Sequence, residues 1–336
     1  MTYLQEAAIE PDLPIIDPHH HLYDRPTIHY LFEELLADTQ AGHNIRKTVY
    51  IETTAMSRAH GPAPMRPVGE TEFANGIAAR SASGLYGEVR LCAGIVGYTD
   101  LALGARVAEV LAAHIAHGGG RFRGIRQAAY WDSDESVFKY VRRRPPEKLL
   151  LAPQFREGFA ELHKQGLSFD ALVWHPQLPE LTDLARAFPE TSIILNHVGS
   201  PLLVGTYAGK QAEVFEQWRR AMRTLATCDN VTVKLGGFGM ESAGFPFAEH
   251  PGTATSDELA DAWKPYVETC IELWGPERCM FESNFPVDRA TCGYGLIWNA
   301  FKKISAQYTP GQRAALFHDT AARIYRLMDE GAVDQA

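Results

Sequence analysis

Short runs of β-branched and other apolar residues alternate with longer amphipathic stretches along the whole chain, the pattern of repeated strand–helix units. Apolar runs at 14–17, 47–51, 90–96, 122–126, 169–174, 192–196, 231–235 and 279–282 predict eight strands. Between them, apolar positions at helical spacing predict helices over 68–84, 101–116, 155–165, 178–187, 211–227 and 257–274. The strands are continuously apolar rather than alternating, as parallel strands covered on both faces require. No Ser/Gly-rich linker or charge block divides the units. The prediction is therefore an α/β fold, a single (β/α)8 TIM barrel spanning 1–336, with a doubly wound sheet as its rival. Two longer segments, 56–67 after the second strand and 236–256 after the seventh, are expected to fold over the barrel mouth.

Composition narrows the function classes. The chain has 336 residues, 46% of them hydrophobic, enough for one large core or two ordinary ones. Its 32 Lys+Arg against 41 Asp+Glu give a net charge of -9, which repels a phosphate backbone on average, so a small-molecule substrate is expected and no nucleic acid. The five cysteines are scattered without a C-x-x-C pair and read as free thiols of a reducing compartment. The N-terminus lacks the basic flank and apolar run of a signal peptide, and no apolar stretch approaches the ~20 residues that cross a bilayer. A cytoplasmic protein without a membrane partner is the expectation, with a homodimer as the default assembly.

In a parallel barrel the C-terminal strand ends converge on one face, so polar residues there point to chemistry. They are Asp17 to His21, Glu52, Arg126, His175, Asn196 and His197, Lys234, and the segment from Ser283 to Asp288. His19 and His21 are two apart on an extended segment and point the same way, into the mouth, while His20 points away. Such an imidazole pair suits a divalent metal or polarises a carbonyl; the plainer alternative is a His-rich turn capping the strand. Glu52 can ligate a metal, orient an imidazole or sit in a solvated loop, with orientation of a histidine ranked first. Arg126 offers a fork for a substrate carboxylate, against an ion pair with a loop acid.

Four segments, 16–24, 122–126, 195–201 and 280–288, together resemble the amidohydrolase superfamily, and within it the TIM-barrel branch that hydrolyses 2-pyrone-4,6-dicarboxylate and sugar lactones such as L-fuconolactone. The resemblance runs in order from about residue 14 to residue 327. It implies that His19, His21, His175 and His197 surround the reaction centre with a carboxylate after the eighth strand. Where the family usually has Ser-Asp-Trp-Pro, this chain has Asn284, and an amide takes no proton from water near neutral pH. Asp288 or Glu52 then supplies the carboxylate, with Asp288 favoured, or Asn284 orients a water that a histidine deprotonates. The competing role for Asp288 is the N-cap of a helix beginning near Thr291. The family also implies one divalent metal, Zn²⁺ foremost, or none, with His19, His21, His175 and Glu52 as ligands if one is present.

The function implied is hydrolysis of a lactone or related cyclic ester of a small, carboxylated substrate, by water attack on a polarised carbonyl. Arg126, Tyr130 and Trp131 are the expected substrate-binding residues. The alternative is a mononuclear-metal decarboxylase of an aromatic or muconate-type acid, which needs no nucleophilic water and so tolerates Asn284. A non-catalytic binding protein is a third reading, disfavoured because many titratable groups in a barrel mouth are costly without use.

Overall fold

The structure, a computed structural model, describes residues 3–327 except Arg142. All eight expected strands form and pair in sequence order as one parallel sheet. They are β1 (Pro14–His20), β2 (Asn44–Ile51), β3 (Arg90–Gly97), β4 (Phe122–Ala128), β5 (Ser168–Leu172), β6 (Ile193–Leu195), β7 (Val231–Leu235) and β8 (Cys279–Phe281). Closure comes just beyond β8. The His21 N–H donates to the Phe285 carbonyl (2.7 Å), the Asn284 N–H to the His19 carbonyl (3.0 Å), and the Ser283 hydroxyl to Asp17 (2.6 Å).

One helix follows each strand: α1 (Phe32–Thr39), α2 (Val68–Ala82), α3 (Val107–His117), α4 (Pro153–Lys164), α5 (Leu178–Ala187), α6 (Gln211–Leu225), α7 (Ser256–Trp274) and α8 (Tyr294–Ile304). The (β/α)8 barrel is thus the fold, and the doubly wound sheet is excluded by strand order. Of the helices, α1 and α8 lie outside the predicted set. The first is short, and the second is buried almost all round, including Asn299 and Lys302, so its polar face does not stand out in the pattern. Among the described residues no helix is long and apolar enough to cross a membrane, and all five cysteines are free and buried.

Strand alternation sorts the barrel interior into two zones. At the N-terminal end Ile16, Val49, Val96, Ile194 and Met280 form an apolar plug sealed by Tyr325 and Leu327. Nearer the mouth the inward positions are charged: Arg126 pairs in register with Asp170 across β4 and β5, and Lys234 with Met280 across β7 and β8. Lys234 and Asp170 are both fully buried and form an ion pair at 2.7 Å. The Asn196 amide (3.0 Å) and the Tyr325 hydroxyl (2.8 Å) donate to the same Asp170 oxygen. Charges this deep persist only when paired and hydrogen-bonded, and here the pairing sets a rigid floor under the mouth.

The mouth is covered differently from expectation. Thr53 and Thr54 line it, held by the buried Glu70 carboxylate, which accepts from both their N–H groups (2.6 and 3.1 Å). Among the described residues none of 56–67 lines it, and Arg58 of that segment is bound to Glu72 of α2. Its place is taken by the connection between β4 and α4, which contributes Lys139 and Arg143. The 236–256 segment does reach the mouth through Met240, Glu241 and Ser242.

Candidate active site

A cavity of 460 Å³ opens at the C-terminal strand ends and is lined by His21, Glu52, Arg126, Tyr130, His197 and Asn284, among others. His19 lies directly behind His21, with their Nε2 atoms 3.2 Å apart, and packs on His197 with ring centroids at 4.6 Å. His20 faces the other way, against Thr48 Oγ1 (2.9 Å) and Cys92.

The carboxylate at the centre is Glu282, a residue that the strand-end pattern does not single out. It stands two positions after Met280, on the inward face of the chain leaving β8, and is fully buried. Its Oε1 accepts from both the ring Nδ1 (2.6 Å) and the backbone N–H (3.1 Å) of His197, and its Oε2 lies 2.6 Å from His19 Nδ1. Asn284, where the family usually has aspartate, lies two residues further on and also lines the cavity. An acid thus stands one inward position before Asn284, on the same face. Two glycines give it room. A Cβ at Gly236 would sit 2.5 Å from Glu282 Cγ, and one at Gly237, whose φ is +71°, would sit 2.4 Å from His197 Nδ1. This Gly236-Gly237 pair after an apolar strand is the sequence signal that the 236–256 segment shapes the site.

Hydrogen bonds fix the protonation pattern. The Ile51 carbonyl accepts from His21 Nδ1 (2.9 Å), which leaves Nε2 as a lone pair. Glu282 likewise accepts from His197 Nδ1, and the Nε2 of that ring is left to the cavity. Burial, reinforced by Lys234, pushes His19 well below the usual imidazole range, and burial with Arg126 does the same to His21. Neutral His19 lies between His21 Nε2 (3.2 Å) and Glu282 Oε2 (2.6 Å). With its proton on Nδ1, its Nε2 accepts from Arg126 Nη1 (3.3 Å); with the proton on Nε2, its Nδ1 accepts from Lys234 Nζ (3.4 Å). The Glu282 Oε2 atom has no hydrogen-bond partner of proper geometry. An orphaned carboxylate oxygen beside two imidazoles is what a cation satisfies, and the ligand atoms of His19, His197 and Glu282 lie within 4.8 Å of one another. Among the described residues this is the group that fits a divalent ion.

The other expected site residues divide. Arg126 lines the cavity, yet its fork is closed by Glu52: Nε donates to the Glu52 carboxylate (2.9 Å) and Nη2 to the Glu52 carbonyl. Only Nη1 is left, 3.3 Å from His19 Nε2. Glu52 thus orients an arginine rather than a histidine or a metal. Asp288 is buried behind Asn284, accepts from its amide (2.7 Å) and from the Gly239 N–H (2.9 Å), and is pushed up to about 8 by burial. It does not line the cavity, and α8 starts beyond its reach as an N-cap. Asn284, its amide nitrogen held there, lines the cavity. Its φ of +52°, like the +54° of His197, is a left-handed conformation that asparagine and histidine visit more readily than most residues. His175 is placed apart from the cluster: its Nδ1 accepts from the Leu202 N–H (3.2 Å), its ring meets Tyr207 edge-on, and burial pushes it down to about 4. Tyr130 and Trp174 line the cavity and Trp131 does not; the Trp131 backbone N–H donates to the Gln177 amide oxygen (3.1 Å) and its carbonyl accepts from the Gln177 amide nitrogen (2.7 Å).

Known proteins carry related sequences and the same fold. The family model described as "Amidohydrolase" matches residues 16–327. The chain is similar to the uncharacterized protein y4mH of Sinorhizobium fredii, 35% identical over 94% of this chain and 99% of that protein. It is also similar to the L-fucono-1,5-lactonase of Burkholderia multivorans, 27% identical over 71% of this chain and 73% of the relative. A crystal structure of an amidohydrolase from Burkholderia multivorans with bound zinc shares the fold, with a TM-score of 0.70 at 23% identity over 94% of this chain and 99% of that one. By sequence and by architecture the chain belongs to the amidohydrolase family.

Proposed function

We propose that this protein hydrolyses a lactone ring, with His197 as the general base. The observation that carries the reading is the Glu282–His197 pair. A buried carboxylate holds the imidazole proton on Nδ1 and stabilises the imidazolium that forms when Nε2 takes a proton from water in the cavity. Asn284 supports the same step: its amide oxygen accepts from the attacking water and holds it without competing for the proton. As the water oxygen adds to the carbonyl carbon, negative charge develops on the carbonyl oxygen. The Arg126 guanidinium, locked by Glu52, supplies a fixed positive charge beside it. Collapse breaks the bond to the ring oxygen, which takes the proton back from His197. The lactonase among the relatives agrees with this chemistry.

His19, His197 and Glu282 are the residues that would hold a divalent ion, and a His197 nitrogen bound to it would no longer serve as the base. When bound, such an ion supplies Lewis-acid polarisation of the carbonyl and acidifies a water. Its identity as zinc is supported by the zinc-bound family structure.

The test is acid release from a panel of lactones by wild type, Glu282→Gln and His19→Ala/His21→Ala, with elemental analysis of untagged protein. A glutamine keeps the shape but loses the charge that favours imidazolium, so kcat should fall about 100-fold or more, and the double alanine variant should be inactive while folded. Full activity in Glu282→Gln overturns the reading. Release of CO₂ from aromatic acids in place of ring-opened product overturns it in favour of a decarboxylase.

A further inference from the structure

The end of the barrel opposite the mouth carries positive charge out of keeping with a chain of net charge -9. A cavity of 240 Å³ opens there, lined by Lys47, Arg90, Arg121, Arg123 and Arg326 beside Leu327 of the apolar plug, and no carboxylate is among its lining residues. Among the described residues no carboxylate forms an ion pair with Arg121, Arg123 or Arg326. Neutral acceptors hold all three in place. Arg121 Nη1 donates to Asn75 Oδ1 (2.9 Å) and the Gly119 carbonyl (3.3 Å), and Arg123 Nη1 to the Gly120 carbonyl (2.6 Å). Arg123 and Arg326 are tied to each other, Nη2 of each donating to the other's backbone carbonyl, at 3.5 and 3.4 Å. Burial pushes the Arg123 guanidinium below its usual range, and Arg326 and Arg121 beside it push the same way. Arg326 is the exposed residue between Tyr325 and Leu327, which insert into the barrel, and its φ of +50° is a left-handed conformation that arginine rarely adopts. A strained backbone held by two buried neighbours fixes where this cation stands.

We propose that this floor is a binding site for a small polyphosphate anion, held by Arg121, Arg123 and Arg326. Arg121 and Arg326 each use one guanidinium nitrogen in the contacts above and keep the others for a ligand. A guanidinium fork matches phosphate oxygens through parallel hydrogen bonds. Three neighbouring cations without an acid call for more than one negative charge, and linked phosphates present charge on several sides to arginines that come from two separate segments. At ~30 Å³ per water, 240 Å³ is room for about eight waters, which suits a diphosphate better than a single small ion. The rival source of negative charge is the chain itself, since Asp329 and Glu330 follow Leu327 closely in the sequence. The assignment is independent of the reaction at the mouth.

Calorimetry on the full-length chain at low ionic strength tests it, with inorganic diphosphate as the probe and sulfate as a single tetrahedral anion. Diphosphate should bind wild type at least tenfold more tightly than sulfate, and should lose about tenfold or more in affinity in Arg121→Gln and in Arg326→Gln, each checked for folding by circular dichroism. Arg121→Lys keeps the charge and should retain part of the affinity, while Arg143→Gln at the mouth should leave it unchanged. Unchanged affinity in either glutamine variant of the floor, or its loss in Arg143→Gln, overturns the site. Sulfate binding as tightly as diphosphate overturns the polyphosphate class. Asp329→Asn/Glu330→Gln separates the two sources of charge: diphosphate binding to both this variant and wild type supports a ligand site. Binding to the variant alone assigns the arginines to the chain's own acids and overturns the proposal, as does the absence of binding to any of these proteins.

Discussion

Replacing Lys234 with methionine tests whether the buried charges under the mouth act as one unit. Asp170 is fully buried, and one of its oxygens accepts from Lys234 (2.7 Å), Asn196 (3.0 Å) and Tyr325 (2.8 Å). At 2.7 Å and an effective dielectric of about 20, the direct attraction between the charges is roughly 6 kcal/mol, most of it offset by the cost of taking both out of water. Methionine fills similar space but leaves the carboxylate with two neutral donors and no ion-paired partner, Arg126 acting on it only from a distance. The expected loss is about 3–5 kcal/mol, the usual result of removing one partner of a buried pair. Lys234→Met/Asp170→Asn removes the charge along with its partner and should recover a large part of that loss, giving a coupling energy well outside additivity. Denaturant unfolding at pH 7 of wild type, both single variants and the double variant measures it. A loss under about 1 kcal/mol in Lys234→Met, or simple additivity in the double variant, would refute the idea that the pair supports the floor. Because Lys234 Nζ also lies 3.4 Å from His19 Nδ1, turnover should fall in the single variant even at temperatures where it stays folded.

Two further substitutions probe the site's construction. Gly237→Ala places a methyl 2.4 Å from His197 Nδ1 at a φ of +71°; the left-handed conformation alone costs about 1–2 kcal/mol, and the displaced base should lower hydrolysis at least tenfold, so wild-type kinetics would show that the position of His197 is not critical. Burial pushes the Asp288 carboxyl up to about 8 in the folded chain, against about 3.9 for an exposed aspartate. Between those values the folded chain holds a proton that the unfolded chain has released, so stability falls as pH rises, by up to about 1.4 kcal/mol per pH unit. Asp288→Asn should flatten the decline of the urea midpoint from pH 5 to pH 8, and an unchanged slope would remove Asp288 as its cause.

The barrel was legible because its evidence is distributed: eight apolar runs at regular spacing tolerate errors at any one end. The histidines were legible for a related reason, since His19, His21 and His197 all fall at strand ends, and topology alone brings strand ends together. Glu282 was obscured by its place as the last residue of an apolar run, where strand character outweighs a single charge. Parity would have exposed it. Counting by twos from Met280 puts Glu282 and Asn284 on one inward face, and the same count puts Asp170 and Lys234 inward on their own strands. A charged residue at an inward position must find a partner there, so three of them predict a buried network before any coordinates exist. What parity does not give is the pairing. Arg126 had two acids within plausible reach, and only three-dimensional geometry shows that Glu52 holds its fork while Glu282 goes to the histidines. In the proposed reaction that division matters: the arginine is a fixed charge at the reacting end, and the carboxylate one inward position before Asn284 orients His197 instead of meeting water itself.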